Sequence, residues 1–234
     1  MKLRRSMFVA VALVLVLSGL LAGTVAAKDR QSSVRVVHAS PDAPAVDVLV
    51  NGNVAFSNVT YRTISQYTPL EPGQYRVQVV AAGTQGPAVI DTTLTVQPGT
   101  DYTVVAIGRL AEIRALPLVD NNELPAANQA KVRVVHASPN APAVDVAVAG
   151  GPVLFGGLTF GNASDYRTVD AGTVNLQVRP AGTQTVALDL PNVTLSGGTV
   201  YTVFAVGLLQ GQPPLEALVA VDAAAGTSQA TTGN

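Results

Sequence analysis

The sequence predicts an all-β protein built from two tandem antiparallel β-sandwich domains of the immunoglobulin-like or transthyretin-like type, preceded by a signal peptide. Three observations predict this: an apolar segment at the N-terminus, an internal repeat, and short runs of Val, Thr and Tyr that alternate with polar residues and are cut by Gly and Pro. A small β-barrel is the alternative for each repeat.

The N-terminal 27 residues have the three parts of a secretory signal peptide. Lys2, Arg4 and Arg5 form a basic start, and sixteen uncharged residues from position 7 to 22 follow. A small-residue stretch then ends at Ala27, which predicts cleavage before Lys28. The other interpretation is an uncleaved anchor, for which the apolar run is short, since a bilayer needs about 20 residues. We therefore expect a secreted or envelope-associated protein with no transmembrane segment after cleavage.

Composition narrows the range of partners. The chain has no Cys, so neither a disulfide nor a lipid attached through Cys is available, and each domain must depend on its own core. Removing the three basic residues of the signal leaves 11 basic against 15 acidic residues, a net charge of −4. Because nucleic-acid binding needs a basic surface, this mildly acidic balance argues against a nucleic-acid partner.

The repeat is long and specific. The segment VRVVHASPDAPAVDVLV at 34–50 returns as VRVVHASPNAPAVDVAV at 132–148, and 15 of the 17 positions are identical. The match continues at an offset of 99, so that Tyr67 corresponds to Tyr166 and Gly83 to Gly182. Solenoid units are about 20–50 residues long, so a period of this length indicates a whole domain.

Polar, Pro-containing stretches set the predicted boundaries. We assign residues 1–27 to the signal peptide, 28–122 to the first domain, 123–130 to a linker, 131–223 to the second domain and 224–234 to a flexible tail.

Asn51-Gly52 between apolar runs predicts a two-residue hairpin turn, because both residues tolerate positive φ. Each copy offers seven or eight short strands, and its paired aromatic residues are predicted to fill the space between two sheets.

The segment with the most chemical interest is His-Ala-Ser-Pro-(Asp/Asn)-Ala-Pro-Ala-Val-Asp-Val, which holds both His residues of the protein. Its Pro-rich connection predicts a fixed loop that brings His and Asp close together. The candidate ligand-binding residues of the two copies are His38, Ser40, Asp42, Asp47, His136, Ser138, Asn140 and Asp145.

Three interpretations of this loop remain open. It can be structural, with Asp and Ser groups capping loop N–H groups and His paired with Asp at the corner. It can bind a polar ligand or a metal, although one His and one or two acids per copy are few for zinc. It can also be a Ser-His-Asp hydrolytic site, although Ser precedes Pro and no Gly-x-Ser-x-Gly elbow surrounds it. We assign no catalytic residue and expect neither a metal nor a cofactor.

The opening HASPDAP, with the following Asn-Gly turn, Phe56, Tyr67 and the turn at Pro72-Gly73, closely resembles the domain-of-unknown-function family 4397. Both copies carry the resemblance, over most of residues 32–222. It implies a secreted or surface-attached module, often in tandem, and supplies no activity and no catalytic residues. The second copy departs from the pattern at Asn140, and at Val174 where the first has Tyr75.

These observations favour a non-enzymatic exported module for cell-envelope or extracellular binding, adhesion or structure, with an unidentified protein or glycan as ligand. The alternatives are an exported hydrolase that uses the His-Ala-Ser-Pro loop and a metal-stabilised structural domain.

Overall fold

The computed structural model of the protein describes residues 31–226, which form two copies of one β-sandwich. The predicted signal peptide and residues 227–234 of the predicted tail lie outside the described residues. Each copy has eight strands in the same order, and the two sets are joined by residues 121–128.

The first copy runs from the first to the eighth strand with one short 3₁₀ turn, Leu110–Glu112, before the last strand. Its strands are β1 (Ser32–His38), β2 (Val46–Val50), β3 (Asn53–Val59), β4 (Thr68–Leu70), β5 (Gly73–Ala81), β6 (Ile90–Val96), β7 (Asp101–Ile107) and β8 (Arg114–Asp120).

The second copy repeats this order, and its first strand begins at Gln129, inside the segment predicted as linker. Its strands are β9 (Gln129–His136), β10 (Val144–Val148), β11 (Val153–Leu158), β12 (Arg167–Asp170), β13 (Gly172–Pro180), β14 (Leu188–Leu195), β15 (Thr199–Val206) and β16 (Glu216–Ala224).

Each copy forms two four-stranded sheets, which confirms the predicted tandem β-sandwich fold. We call β3-β2-β5-β6 and β11-β10-β13-β14 the outer sheets, and β4-β1-β7-β8 and β12-β9-β15-β16 the inner sheets. The outer sheets are wholly antiparallel. In each inner sheet the two central strands are parallel, β1 with β7 and β9 with β15, a pairing that the prediction of antiparallel sheets did not include.

Three apolar cores stack the four sheets in the order outer, inner, inner, outer. One core lies inside the first sandwich and includes Val36 and Tyr102, and a second lies inside the second sandwich and includes Val134 and Tyr201. The third core contains Val37 of the first copy and residues of the second, so it lies between the two inner sheets. We call this third contact the domain interface.

The domain interface explains the sequence of β1 and β9. Successive side chains of a strand point to opposite faces. In β1, Val34 and Val36 belong to the core of the sandwich, whereas Val37 and the following Ala39 belong to the domain interface. Because both faces are covered, the face toward the second copy carries the apolar Val37 beside the buried Arg35, and it is not a solvent-exposed polar face.

The predicted turn at Asn51-Gly52 is confirmed. Asn51 has φ 50° and Gly52 has φ 82°, and the turn joins β2 to β3. Positive φ at both positions is what a two-residue hairpin of this twist requires. The second copy makes the same connection with the longer segment at positions 149–152.

Candidate functional site: the His-Ala-Ser-Pro loops and the domain interface

Each His-Ala-Ser-Pro loop carries the chain from an inner sheet to an outer sheet. His38 is the last residue of β1 and Asp47 is the second residue of β2, and His136 and Asp145 hold the same places in β9 and β10. The segment therefore forms the corner of its sandwich next to the domain interface, where Ala39 and Ala137 are fully buried.

The two His rings fasten the Pro-rich part of their own loops. His38 Nε2 lies 3.0 Å from the carbonyl oxygen of Pro44, and His136 Nε2 lies 2.9 Å from that of Pro142. A carbonyl only accepts hydrogen bonds, so Nε2 carries the proton and donates. Burial lowers the pKa of both rings, which favours the neutral form. The predicted pairing of His with Asp is therefore wrong, because the ring bonds to the loop backbone and not to the carboxylate.

Each strand Asp fixes two separate backbone segments. Asp47 accepts hydrogen bonds from the N–H of Asn58 at 2.7 Å and from that of Gly83 at 2.8 Å. Asp145 makes the same pair of bonds in the second copy, to Gly157 at 2.7 Å and Gly182 at 2.9 Å. The two N–H donors lower the pKa of Asp47, because they favour its charged form.

The donors at Asn58 and Gly157 arise at a β-bulge. On β3, the two residues at positions 57 and 58 lie opposite the single residue Asp47 of β2, between the pairs Val46–Val59 and Val48–Phe56. Asn58 has φ 50° and its counterpart Gly157 has φ 66°. A bulge leaves one residue outside the ladder, so the carboxylate satisfies an N–H that the sheet does not use.

The exposed residue after Pro in the loop is Asp42 in the first copy and Asn140 in the second, and both accept the same backbone hydrogen bond. Asp42 Oδ1 accepts the N–H of Leu110 at 2.8 Å, and Asn140 Oδ1 accepts that of Leu209 at 2.8 Å. Asn140 also donates to the carbonyl of Gln210 at 2.9 Å. An amide oxygen is as able to accept this bond as a carboxylate oxygen, so the exchange of Asp for Asn preserves the contact between the loop and the connection that precedes the last strand.

The Ser side chains are buried and make no hydrogen bond to the His rings of their loops. Ser40 and Ser138 are 0% exposed, and their hydroxyl oxygens have no hydrogen-bond partner among the described residues. The Nδ1 atoms of His38 and His136 likewise have none. The loop therefore brings Ser, His and Asp into one corner without linking them as nucleophile, base and orienting acid.

Across residues 31–226, no three His, Cys, Asp or Glu side chains lie together in a group that could hold a metal ion. The same residues contain no helix that is long and apolar enough to cross a membrane.

The domain interface contains a buried polar cluster around Asp120, at the end of β8. Its carboxylate accepts hydrogen bonds from the hydroxyls of Tyr67 at 2.7 Å and Thr103 at 2.6 Å, both in the first copy. Arg133 of the second copy completes it, with Nη2 at 2.5 Å from Asp120 Oδ1. Burial and the nearby carboxylate of Asp120 raise the pKa of Tyr67, which keeps its hydroxyl a donor.

The same cluster occurs with the two copies exchanged. Asp222 of the second copy accepts from Tyr166 at 3.1 Å and Thr202 at 2.5 Å, and Arg35 of the first copy donates to it at 2.5 Å. Each Arg also lies 4.6 Å from the centre of the Tyr ring in its own copy, Arg35 over Tyr67 and Arg133 over Tyr166. The contacts are reciprocal, as in a two-fold symmetric interface.

The aromatic pairs divide between two environments. Phe56 and Phe155 lie in the sandwich cores, as predicted for rings between sheets. Tyr61 and Phe160 instead pack against the domain interface, where each ring meets the edge of a loop His at 6.3 Å and 6.2 Å. These rings therefore connect the His-Ala-Ser-Pro corners to the contact between the copies.

Most polar residues of the domain interface were not singled out from the sequence, namely Arg35, Thr103, Asp120, Arg133, Thr202 and Asp222. Tyr67 and Tyr166 were noted as paired aromatic residues and predicted to fill the space between the two sheets of a copy, but they lie in the polar clusters of the domain interface. A signal was present, because each repeat places an Arg inside an apolar strand, where a charge needs a partner. The partner could not be assigned, since it belongs to the other copy.

Comparison with known proteins identifies a family and no described activity. The family described as "Domain of unknown function (DUF4397)" matches residues 32–147 and again residues 139–233. No curated protein matches the chain.

Two solved structures show a distant likeness. A carbohydrate-binding module of family CBM26 from Eubacterium rectale, solved with maltoheptaose, is 10% identical, with 79% of this chain and 95% of that chain covered and a TM-score of 0.28. A candidate cell-adhesion protein from Bacteroides fragilis is 11% identical, with 82% and 97% covered and a TM-score of 0.20. Likeness at this level carries no inference about ligand or function.

Proposed function

The chain belongs to the DUF4397 family, and from that premise we propose that it is a non-enzymatic two-domain module that acts outside the cytoplasm in binding, adhesion or envelope structure. The family has no described activity, so support for the proposal comes from the geometry of this chain.

The observation that carries the non-enzymatic part is the state of the His-Ala-Ser-Pro corners. A Ser nucleophile needs a base within hydrogen-bond reach and access to substrate. In both copies the Ser hydroxyl is buried and has no hydrogen bond to His, and the His Nε2 proton is committed to a loop carbonyl. This arrangement supports a structural corner that holds inner and outer sheets at a fixed distance.

The domain interface supports a rigid binding or structural unit. Reciprocal Arg–Asp contacts and a shared apolar core join the copies. A surface that spans both copies is thereby organised before a partner arrives, which reduces the entropic cost of binding. Action outside the cytoplasm is supported by the signal-like N-terminal sequence.

A binding experiment tests the proposal. The mature chain, beginning at Lys28, carries a fluorophore and is co-sedimented with isolated cell envelopes of the producing organism. We expect saturable binding that survives in the Ser40→Ala/Ser138→Ala double variant. Absence of saturable binding contradicts an envelope-binding role.

A second measurement addresses the hydrolase alternative. Wild type and the Ser40→Ala/Ser138→Ala variant are screened with ester, amide and glycoside substrates, and we expect no difference between them. Turnover by the wild type that disappears in the double variant would overturn the non-enzymatic assignment.

A further inference from the structure

An apolar pocket lies inside the first sandwich, at the side where its two sheets part. There β3 is the edge of the outer sheet and β4 is the edge of the inner sheet. The pocket between them has a volume of about 80 Å³, roughly half that of an apolar protein cavity that holds benzene or xenon. Ala55, Thr68 and Pro69 line its mouth and are exposed, whereas Val36 and Val48 line its interior and are buried.

The interior of the pocket is apolar. Within the described chain, the residues that line it carry no charge, and the polar side chains among them are Thr68 at the mouth and Tyr75. The Tyr75 hydroxyl donates to the carbonyl of Glu71 at 2.8 Å, so its ring forms a wall and its polar atom is already bonded. Because a polar group without a partner is costly in such surroundings, the part of a ligand that enters has to be hydrocarbon.

The pocket continues into a smaller cavity along the strands. This cavity has a volume of about 20 Å³ and shares Val residues of the core with the first, among them Val36 and Val48. The larger cavity reaches Val34 of β1, and the smaller reaches His38 at the end of the same strand. The space between the sheets is therefore long and narrow, which favours a linear chain over a ring.

The second copy fills the corresponding place with its own side chains. Ala55 is the extra residue of a second β-bulge on β3, and Leu154 is the extra residue of the same bulge on β11. A bulge re-aims a side chain, and Leu154 packs against the core of the second sandwich. Ala55 has no atoms beyond Cβ with which to make this contact, and its position stays exposed.

A further difference between the copies lies at the mouth of the pocket. Thr68 of β4 corresponds to Arg167 of β12, and the Arg167 guanidinium lies 5.7 Å from the centre of the Phe155 ring. In the first copy the equivalent ring, Phe56, lines the pocket. The second copy has a groove of about 670 Å³ at this edge, but its lining residues all lie between positions 154 and 168, so it does not reach the core strands β9, β10 and β13.

We propose that the first sandwich binds the alkyl chain of a small uncharged amphiphile, with the chain between the sheets and the head group in solvent beside Thr68. This inference rests on the proposed binding function and names a ligand class for one of the two copies. Burial of hydrocarbon supplies the affinity, and the uncharged mouth favours a head group without charge. A free amphiphile and the acyl chain of a membrane lipid share this chemistry, and the experiment separates them.

The test uses the mature full chain and the linear primary alcohols butanol, pentanol and hexanol, with methyl NMR signals of Val residues as the readout. We expect the signals of Val36 and Val48 to shift, while those of their counterparts Val134 and Val146 in the second copy stay in place. Each added CH₂ that enters the pocket should tighten binding about fourfold. Hexanediol with a hydroxyl at each end should bind more weakly than hexanol by about tenfold or more, because one hydroxyl would be buried without a partner.

The Ala55→Leu variant introduces the residue of the second copy and fills the pocket. We expect it to weaken hexanol binding by about tenfold or more. Ala55→Ser is the matched control, which leaves the pocket open, and its affinity should stay within about threefold of wild type. Thermal unfolding of each variant, together with unchanged signals from the second copy, separates loss of binding from loss of the fold.

The reciprocal variant is Leu154→Ala/Arg167→Thr, which gives the second copy the residues of the first at both positions. We expect hexanol to shift the signals of Val134 and Val146 in this variant. Because the result is a gain of binding, it does not depend on a destabilised chain.

Flotation with phosphatidylcholine vesicles identifies the source of the chain. Flotation of wild type but not of Ala55→Leu assigns the pocket to a membrane lipid. Hexanol binding without flotation assigns it to a free amphiphile, and either result supports the alkyl site.

Three outcomes would overturn the proposal. They are no shift at Val36 and Val48 with hexanol up to about 10 mM, equal hexanol binding by wild type and Ala55→Leu, and a concentration-dependent dimer that Ala55→Leu abolishes, which assigns the pocket to a side chain of a second copy. If wild type co-sediments with envelopes but binds no hexanol, the proposed function stands and the alkyl site does not.

Discussion

The inner and outer sheets each have four strands, but they differ in how many of their faces are covered by protein. The outer sheets keep one face in solvent, and their ion pair Arg76–Asp91 has side chains that are 60% and 41% exposed. The inner sheets are covered on both faces, and the ion pair Arg35–Asp222 between them has side chains that are 2% and 0% exposed. The charged side chains of the outer-sheet pair are exposed to water. In the pair between the inner sheets, each buried charge instead meets an opposite charge from the other copy.

This difference indicates which sheets need both copies of the repeat and which do not. An outer sheet completes its hydrogen bonds and its core within one copy. An inner sheet leaves Asp120 or Asp222 without its cation unless the other copy supplies Arg133 or Arg35. Separating the copies would expose the apolar domain interface and leave both ion pairs open. Stability of the inner sheets is therefore a property of the pair.

The largest expected effect comes from removing one carboxylate of the domain interface. Asp222→Ala leaves Arg35 buried without its partner, which costs about 3–5 kcal/mol of unfolding free energy. Urea unfolding of the full chain measures it. Asp91→Ala on the outer sheet is the matched control, and it should leave the midpoint nearly unchanged because that pair is exposed. Equal shifts for the two variants would contradict the distinction between inner and outer sheets.

A smaller effect is expected at the corner carboxylates. Asp145→Asn removes the charge that accepts two backbone N–H groups, at a cost of about 1–3 kcal/mol. Asp47→Asn should destabilise the first copy in the same direction. The pKa of Asp47 is lowered in the fold, so its contribution is present above the usual carboxyl pKa and is lost as the pH falls through the folded value. Urea midpoints at neutral pH and at about pH 3 test both statements.

The pH dependence between neutral and mildly acidic conditions should depend on the two His residues. Burial lowers the pKa of His38 and His136, so below about pH 6.5 the unfolded chain takes up protons that the folded chain does not. Stability is therefore full above that pH and falls as the solution is acidified. The melting temperature at pH 7.5 and pH 5 measures the loss, and a His38→Gln/His136→Gln variant should flatten it. A profile that stays as steep in the double variant would assign the titration to other groups.

The smallest effect is expected for the buried hydroxyls. Ser40→Ala and Ser138→Ala remove oxygens that have no hydrogen-bond partner among the described residues, so each should change the unfolding free energy by less than about 1 kcal/mol in either direction. Urea unfolding measures this. A large loss would indicate that the hydroxyls have a structural partner.

The features that could be predicted from the sequence are those determined within one copy. The repeat gave two β-sandwiches, and the Asn51-Gly52 turn followed from residues that accept positive φ. The capping of backbone N–H groups by Asp was among the interpretations of the loop, and Asp47 accepts two such groups. The binding role of the candidate residues in these loops stays a prediction.

The features that could not be predicted cross from one copy to the other. The sequence of β1 gives no indication that Arg35 pairs with a residue 187 positions later. The prediction of strands from alternating apolar and polar residues assumes that one face of the sheet is exposed to solvent. This assumption fails for a strand such as β1, which is buried on both faces. The parallel pairing of β1 with β7 likewise depends on how the ends of one copy meet, which local residue patterns do not encode.

The ion pair between Arg35 and Asp222 also brings the first and last strands of the described body, β1 and β16, into contact. A pulling force applied at Ser32 and Ala224 would therefore load the domain interface before it loads the ladders inside either sandwich. The first extension under tension would be the separation of the two copies at the domain interface. Residues 121–128 would then be the covalent connection that remains between them.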